Sequence, residues 1–124
     1  MDTLSPNIFV NDIDKTIDFY KSLGFVVMAT VSESGKLNWA MIVNGNVTFM
    51  FQTFESLGNE LPEIKREDGS SLLFYIKVKN INDYFNTLKD KVNILKGIEK
   101  TFYGATEFSI VDNNGYVLTF AEDE

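Results

Sequence analysis

The 124-residue sequence carries 18 acidic and 11 basic side chains, a net charge of −7, and 44% of its residues are hydrophobic. The hydrophobic content predicts a folded domain with a real core, and the negative charge argues against nucleic acid and favours a cationic ligand. Cysteine and histidine are both absent, which excludes thiolate chemistry, histidine-containing catalytic triads and most transition-metal sites.

The sequence shows no signal for a membrane. No apolar run approaches the ~18 residues that a transmembrane helix needs. The first six residues lack the basic start and apolar core of a signal peptide. We therefore expect no membrane partner, and the lack of cysteine fits a cytoplasmic protein.

The first half of the chain predicts a β-α-β-β-β unit. Asp12 is placed to cap a helix over residues 13–23, whose apolar residues recur at helical spacing, and Gly24 ends it. Strands are predicted over residues 4–10, 25–31, 37–43 and 47–53, with turns that contain Gly35 and Gly45. Residues 54–70 carry glycine, proline and many charges, which predicts a loop with one helical turn.

The second half repeats this plan. Asn80 is placed to cap a second helix, whose apolar residues repeat those of the first at a constant offset of 68 residues: Ile13, Ile17 and Tyr20 correspond to Ile81, Phe85 and Leu88. Strands are predicted over residues 71–78, 91–100, 105–112 and 116–121, the last two flanking an Asn-Asn-Gly turn. We expect an α+β fold in one domain, 1–124, made of modules 1–56 and 70–124 joined by loop 57–69.

Several runs resemble the vicinal oxygen chelate superfamily of glyoxalases, bleomycin-resistance proteins and extradiol dioxygenases. The opening runs are 6–13, 17–20 and 23–25, and the closing run extends from Tyr103 to Leu118. The closing turn is Asp112-Asn113-Asn114-Gly115, where the family usually has Asp-Pro-Asp-Gly. The resemblance implies two tandem β-α-β-β-β modules that form concave mixed sheets.

The resemblance also implies where a metal would bind. Enzymes of the family hold a divalent metal with His, Gln or Glu side chains. The corresponding positions here are Ser5, Met50, Leu73 and Thr119, and Gln52 is the group nearest to Met50 that could ligate. Leucine and methionine do not bind hard metals, and hydroxyls bind them weakly. We therefore expect no metal and no cofactor.

Without a metal, the resemblance implies the branch that binds a small molecule, typically as a homodimer. Strand alternation predicts one cavity-facing set of residues, to which aromatic groups at strand ends add stacking surfaces for a planar or cationic ligand. This predicted ligand-binding set is Ser5, Asn7, Phe9, Trp39, Met50, Gln52, Leu73, Tyr75, Tyr103 and Thr119.

Three functions stay open. The first is a metal-free protein that sequesters a planar or cationic antibiotic or metabolite, and it would act in antibiotic resistance. The second is a glyoxalase-like lyase or isomerase, or a cofactor-free acid–base enzyme, with Glu107 as the candidate catalytic residue. The third is a dimeric interaction module with a closed groove. The ligand positions favour the first and argue against an enzyme.

Overall fold

A computed structural model describes all 124 residues. The chain divides into two compact units, Met1–Asp68 and Gly69–Glu124. Each unit has the element order β-α-β-β-β, so the predicted α+β class is confirmed. None of the three helices has the length and apolar composition required to cross a bilayer.

The first unit is a four-stranded sheet with one helix packed on it. The elements are β1 (Asn7–Val10), α1 (Ile13–Ser22), β2 (Val26–Glu33), β3 (Lys36–Asn44), β4 (Val47–Thr53) and the short α2 (Phe54–Leu57). The strands run in the order β1-β4-β3-β2, with β1 parallel to β4 and the other neighbours antiparallel. The predicted single helical turn after β4 is therefore confirmed.

Tyr20 lies at the centre of this unit's core. Its ring is fully buried, and its centroid lies 5.4 Å from Phe25, 5.7 Å from Phe49 and 5.0 Å from Phe51. The predicted cap of α1 is confirmed, because the Asp12 carboxylate accepts a hydrogen bond from the backbone N–H of Lys15. Helix α1 thus covers one face of the sheet.

Arg66 orders the loop that follows α2. Its guanidinium donates to the backbone carbonyls of Gly58 at 3.0 Å and Leu61 at 2.8 Å, and also to those of Glu60 and Ile64. Because a guanidinium has five N–H donors in a fixed plane, one side chain can tie four carbonyls together. The loop therefore has a defined conformation although it contains little regular structure.

The second unit repeats the architecture with the strand order β5-β8-β7-β6. Strand β5 is parallel to β8, and the other neighbours are antiparallel. The elements are β5 (Leu73–Lys77), α3 (Ile81–Leu88), β6 (Asn93–Lys100), β7 (Ala105–Val111) and β8 (Val117–Asp123). Helix α3 packs through Phe85 on Phe108 and through Tyr84 on Phe120, with ring centroids 5.1 and 5.2 Å apart.

The predicted cap of α3 is wrong. Asn80 stands at the N-cap position, but its φ is 55° and its side chain makes no capping hydrogen bond. The carboxylate of Glu122 on β8 instead accepts from the backbone N–H groups of Asn80 and Ile81, at 2.9 and 3.1 Å. A carboxylate from a distant strand therefore satisfies two N–H groups at the start of this helix.

Several predicted boundaries are also corrected. The first strand begins at Asn7 rather than at residue 4, although the Pro6 carbonyl still accepts from the Met50 N–H at 3.0 Å. The strand predicted from residue 91 begins at Asn93, because the N–H of Val92 still bonds the carbonyl at the end of α3. The strand predicted over 71–78 is limited to Leu73–Lys77.

The predicted turn between β7 and β8 is confirmed. The half-buried turn is held by Asp112, whose Oδ1 accepts from the N–H groups of Asn114 and Tyr116, both at 2.8 Å. Gly115 has a φ of 85°, and Gly69 lies so close that a Cβ on it would be 2.6 Å from the Gly115 carbonyl oxygen. The start of the second unit is thus packed against the turn between its last two strands.

Candidate functional site

The open face of the second sheet carries the most concentrated polar chemistry. Phe108 and Phe120 lie on the face that packs on α3. Since side chains alternate along a strand, Glu107 on β7 and Ala121 on β8 lie on the opposite face. These two residues are cross-strand partners in the register of β7 and β8.

Three predicted site residues meet on this face and form what we call the carboxylate–phenol cluster: Tyr75, Tyr103 and Glu107. Glu107 Oε2 accepts one hydrogen bond from the Tyr103 hydroxyl at 2.6 Å and another from the Tyr75 hydroxyl. Tyr75 lies on β5, two strands away from β7. Tyr75 and Glu107 therefore meet above the intervening β8, on which Thr119 is paired with Tyr75 and Ala121 with Glu107.

The cluster holds an ionised carboxylate and two protonated phenols. Desolvation raises the pKa of Glu107, but hydrogen bonds from Tyr103 and Tyr75 and the positive charges of Lys96 and Lys77 together hold that pKa below its ordinary value. The same hydrogen bonds to Glu107 raise the pKa values of both Tyr75 and Tyr103. Near neutral pH each phenol therefore keeps its proton and donates it to the charged carboxylate.

The neighbouring charges are paired with one another and not with Glu107. Lys96 Nζ lies 2.7 Å from Glu99 Oε1, and Lys77 Nζ lies 2.5 Å from Asp123 Oδ1. Glu107 forms no ion pair within 4 Å and is held only by neutral donors. The face therefore carries one negative charge that no adjacent cation neutralises directly.

The positions that correspond to family metal ligands do not fit a metal. Thr119 is buried, and its Oγ1 lies 2.8 Å from Ser109 Oγ, so the two hydroxyls satisfy each other. Leu73 is exposed and apolar, and Met50 offers only a thioether. No group of three or more carboxylate, imidazole or thiol side chains is arranged to hold a metal ion. This donor set is unsuited to the divalent metals of the family.

The open face of the first sheet carries amides and aromatic rings. Asn7 Nδ2 donates to Gln52 Oε1 at 2.9 Å. Met50 is the cross-strand partner of Asn7, and Trp39 that of Gln52. The centroid of the Phe9 ring lies 6.3 Å from that of Phe54 in α2. The structure thus brings five of the predicted residues of this unit together, since Met50, Trp39 and Phe9 are cross-strand partners of the Asn7–Gln52 pair.

Ser5 does not belong to this group. It precedes β1 and is exposed, so the alternation of that strand does not assign it to either face, and its part in the site stays a prediction. The sequence-based prediction missed Ser109 and Lys96. The signal for Ser109 was its position two residues after Glu107 in the same strand, whereas Lys96 is recognised only from the register of the sheet.

Solved structures with similar folds cover essentially the whole chain. TioX from Micromonospora sp. ML1 has a TM-score of 0.79 at 14% identity, with 100% of both chains covered. A bleomycin resistance determinant encoded on the transposon Tn5 has a TM-score of 0.71 at 20% identity, covering 100% of this chain and 99% of the other. A bleomycin-binding protein complexed with bleomycin has a TM-score of 0.67 at 20% identity, with 100% of both chains covered.

No curated protein sequence gives a significant match. The model of one protein family matches residues 3–120, which is nearly the entire chain. This match agrees with the two β-α-β-β-β units and with the shared folds. The chain therefore belongs to the Glyoxalase/Bleomycin resistance protein/Dioxygenase superfamily.

Proposed function

We propose that this chain is a metal-independent protein that binds and sequesters a small planar or cationic organic molecule. The observation that carries the proposal is the carboxylate–phenol cluster, an ionised carboxylate held by two phenols on an open sheet face. Small-molecule sites commonly combine aromatic walls with a few placed polar groups. The similar fold of a bleomycin-binding protein complexed with bleomycin gives further support.

The donor chemistry supports metal independence. The four corresponding positions offer one alcohol outside the sheet, one thioether, one leucine and one buried hydroxyl already paired with another. None of these competes with water for a hard divalent cation. Elemental analysis of protein purified without chelator tests this part, and a stoichiometric transition metal would contradict it.

Glu107 is better suited to hold a charge than to transfer a proton. A general base works best when its pKa lies near the operating pH. The pKa of Glu107 is instead held below its ordinary value by the phenols and the lysines, against the opposing effect of desolvation. This direction supports binding over the cofactor-free acid–base enzyme that remains the alternative.

A thermal-shift panel tests the binding proposal. A ligand present at about 100 times its dissociation constant stabilises the folded state by ~2.7 kcal/mol. In a chain of this size that stabilisation corresponds to a rise in melting temperature of roughly 10 °C. The panel should contain cationic antibiotics, planar aromatic metabolites and neutral and anionic compounds of similar size. If no compound raises the melting temperature, the binding proposal fails.

We also propose that the chain forms a homodimer through β2, the edge strand of the first sheet. Val26, Met28 and Val31 on this strand are 60%, 58% and 52% exposed. The strand contains neither lysine nor proline, which commonly protect exposed edges. Light scattering after gel filtration should give twice the monomer mass, and Met28→Lys should shift the protein towards monomer, whereas Met1→Lys should not. A monomeric parent would contradict the proposal.

The proposed role in resistance is cytoplasmic capture of a toxic compound. Expression of the protein in a susceptible bacterium should then raise the concentration of the captured antibiotic that is needed to stop growth. Glu107→Gln is the matched loss-of-binding variant, since it keeps the side chain's size and removes its charge. Equal protection by the parent protein and by Glu107→Gln would show that the effect on growth does not depend on the carboxylate–phenol cluster.

A further inference from the structure

The carboxylate–phenol cluster can accept further hydrogen bonds but has no O–H group left to donate one. A phenol has a single proton, and both Tyr75 and Tyr103 donate theirs to Glu107 Oε2. The cluster therefore has no O–H donor left to offer. It retains acceptors: the second carboxylate oxygen, Oε1, and the lone pairs of the two phenol oxygens. A ligand group that complements it must supply hydrogen-bond donors.

The negative charge of the cluster favours the same kind of ligand. Lys96 and Lys77 are each within 2.7 Å of another carboxylate, so the negative charge of Glu107 has no ion-pair partner. An anion would meet this charge, and the nearby ammonium groups of Lys77 and Lys96 are already paired with Asp123 and Glu99; a neutral acceptor would find no O–H donor in the cluster. A cation with several N–H groups satisfies both requirements.

One face of the Tyr75 ring is already occupied, because the Nζ of Lys77 lies 5.3 Å from the centroid of that ring. The group that receives a ligand cation is therefore the Glu107 carboxylate. A depression of about 360 Å³ borders Lys77 and Ala121, and Ala121 is the cross-strand partner of Glu107. Space for the body of a small ligand therefore borders the β8 residue that is paired with Glu107.

We propose that the cluster selects organic cations that donate N–H hydrogen bonds, namely primary ammonium and guanidinium groups, over quaternary ammonium and neutral groups of the same size. The inference rests on the proposed binding function and narrows its ligand class. Charge alone would not discriminate between a guanidinium and a quaternary ammonium. The acceptor-only character of the cluster does, because a quaternary ammonium has no N–H to donate.

Four probes with one shared phenethyl group test this selectivity: phenethylguanidinium, phenethylammonium, phenethyltrimethylammonium and 2-phenylethanol. Binding is followed by amide NMR titration of the ¹⁵N-labelled full chain, at the backbone amides of Glu107 and Ala121. We expect the guanidinium and primary ammonium probes to bind about tenfold or more tightly than the quaternary and neutral probes.

Two variants assign the selectivity to Glu107. Glu107→Gln should weaken the guanidinium probe by about tenfold or more and remove its advantage over the quaternary probe. Glu55→Gln is the matched control, because it makes the same change in net charge at an exposed residue of the first unit that is paired with Lys36. It should leave both dissociation constants unchanged. Amide spectra that keep the parent pattern away from the cluster show that each variant is folded.

The outcomes separate the two proposals. Equal binding of the guanidinium and quaternary probes, or an unchanged affinity in Glu107→Gln, overturns the selectivity while binding itself stands. If none of the four probes binds but the thermal-shift panel yields a neutral or anionic ligand, the selectivity is again wrong. If neither experiment finds a ligand, both proposals fail.

Discussion

The carboxylate of Glu122 provides a sharp test of how the second unit is held together. It accepts hydrogen bonds from the N–H groups of Asn80 and Ile81, at 2.9 and 3.1 Å, and so replaces a local cap of α3. Glu122→Ala removes both acceptors. Loss of a helix cap costs about 1 kcal/mol, and hydrogen bonds to a charged group are at the stronger end of the range, so we expect a loss of about 2 kcal/mol. The melting temperature should fall by roughly 5–10 °C.

Chemical denaturation gives the change in unfolding free energy, and hydrogen exchange gives its location. The amides of Asn80 and Ile81 should exchange about tenfold faster in Glu122→Ala than in the parent. Glu122→Gln keeps one acceptor oxygen and should lose about half as much stability. Glu63→Ala makes the same charge change at an exposed loop residue and serves as the control. If Glu122→Ala behaves like this control, α3 does not depend on the distant carboxylate.

Three further predictions concern the second unit. Gly69→Ala should destabilise the chain by about 2 kcal/mol in urea unfolding, because the residue has a φ of 59° and its new Cβ would lie 2.6 Å from the Gly115 carbonyl oxygen. An unchanged urea midpoint would contradict this steric argument. Tyr75→Phe should raise the pKa of Glu107 in a ¹³C NMR titration, because the carboxylate loses a hydrogen-bond donor. In the parent protein, the stability that this carboxylate contributes is lost as pH falls through its lowered pKa. Burial raises the pKa of Tyr84 to about 12, so the stability that this residue contributes should fall as pH rises from 10 to 12, where its phenol ionises only in the unfolded state. Tyr84→Phe should reduce the loss of stability in this pH range, and the remainder comes from Tyr75 and Tyr103, whose pKa values are also raised.

Local sequence signals were sufficient for most of the elements. The apolar spacing of Ile13, Ile17 and Tyr20 predicts α1, and its repetition 68 residues later predicts α3. Helical spacing and turn glycines are signals that lie within a few residues of one another along the chain, so they can be recognised from a single sequence. The cap of α3 could not be found in this way, because its acceptor lies 42 residues along the chain, at Glu122.

The site shows the same division between local and distant information. Tyr75, Tyr103 and Glu107 were each selected from the sequence, for separate reasons. Their convergence depends on the strand order β5-β8-β7 and on the register that pairs Tyr75 with Thr119 and Glu107 with Ala121 on the intervening strand. Strand order and register are set by packing of the whole sheet, so a pattern within one strand does not reveal which side chains will touch across it.

Corresponding positions in the two units show how a duplicated scaffold changes its chemistry. Gln52 and Ala121 occupy the same place on the central strand of their sheets, beside Trp39 and Glu107 respectively. In the first unit the Gln52 amide accepts a hydrogen bond from Asn7 on the neighbouring strand, whereas in the second unit Ala121 has no polar group and the Tyr75 hydroxyl bonds Glu107 on the strand beyond. The same position of the duplicated scaffold thus belongs to a contact between two adjacent strands in one unit and is spanned by a contact across three strands in the other.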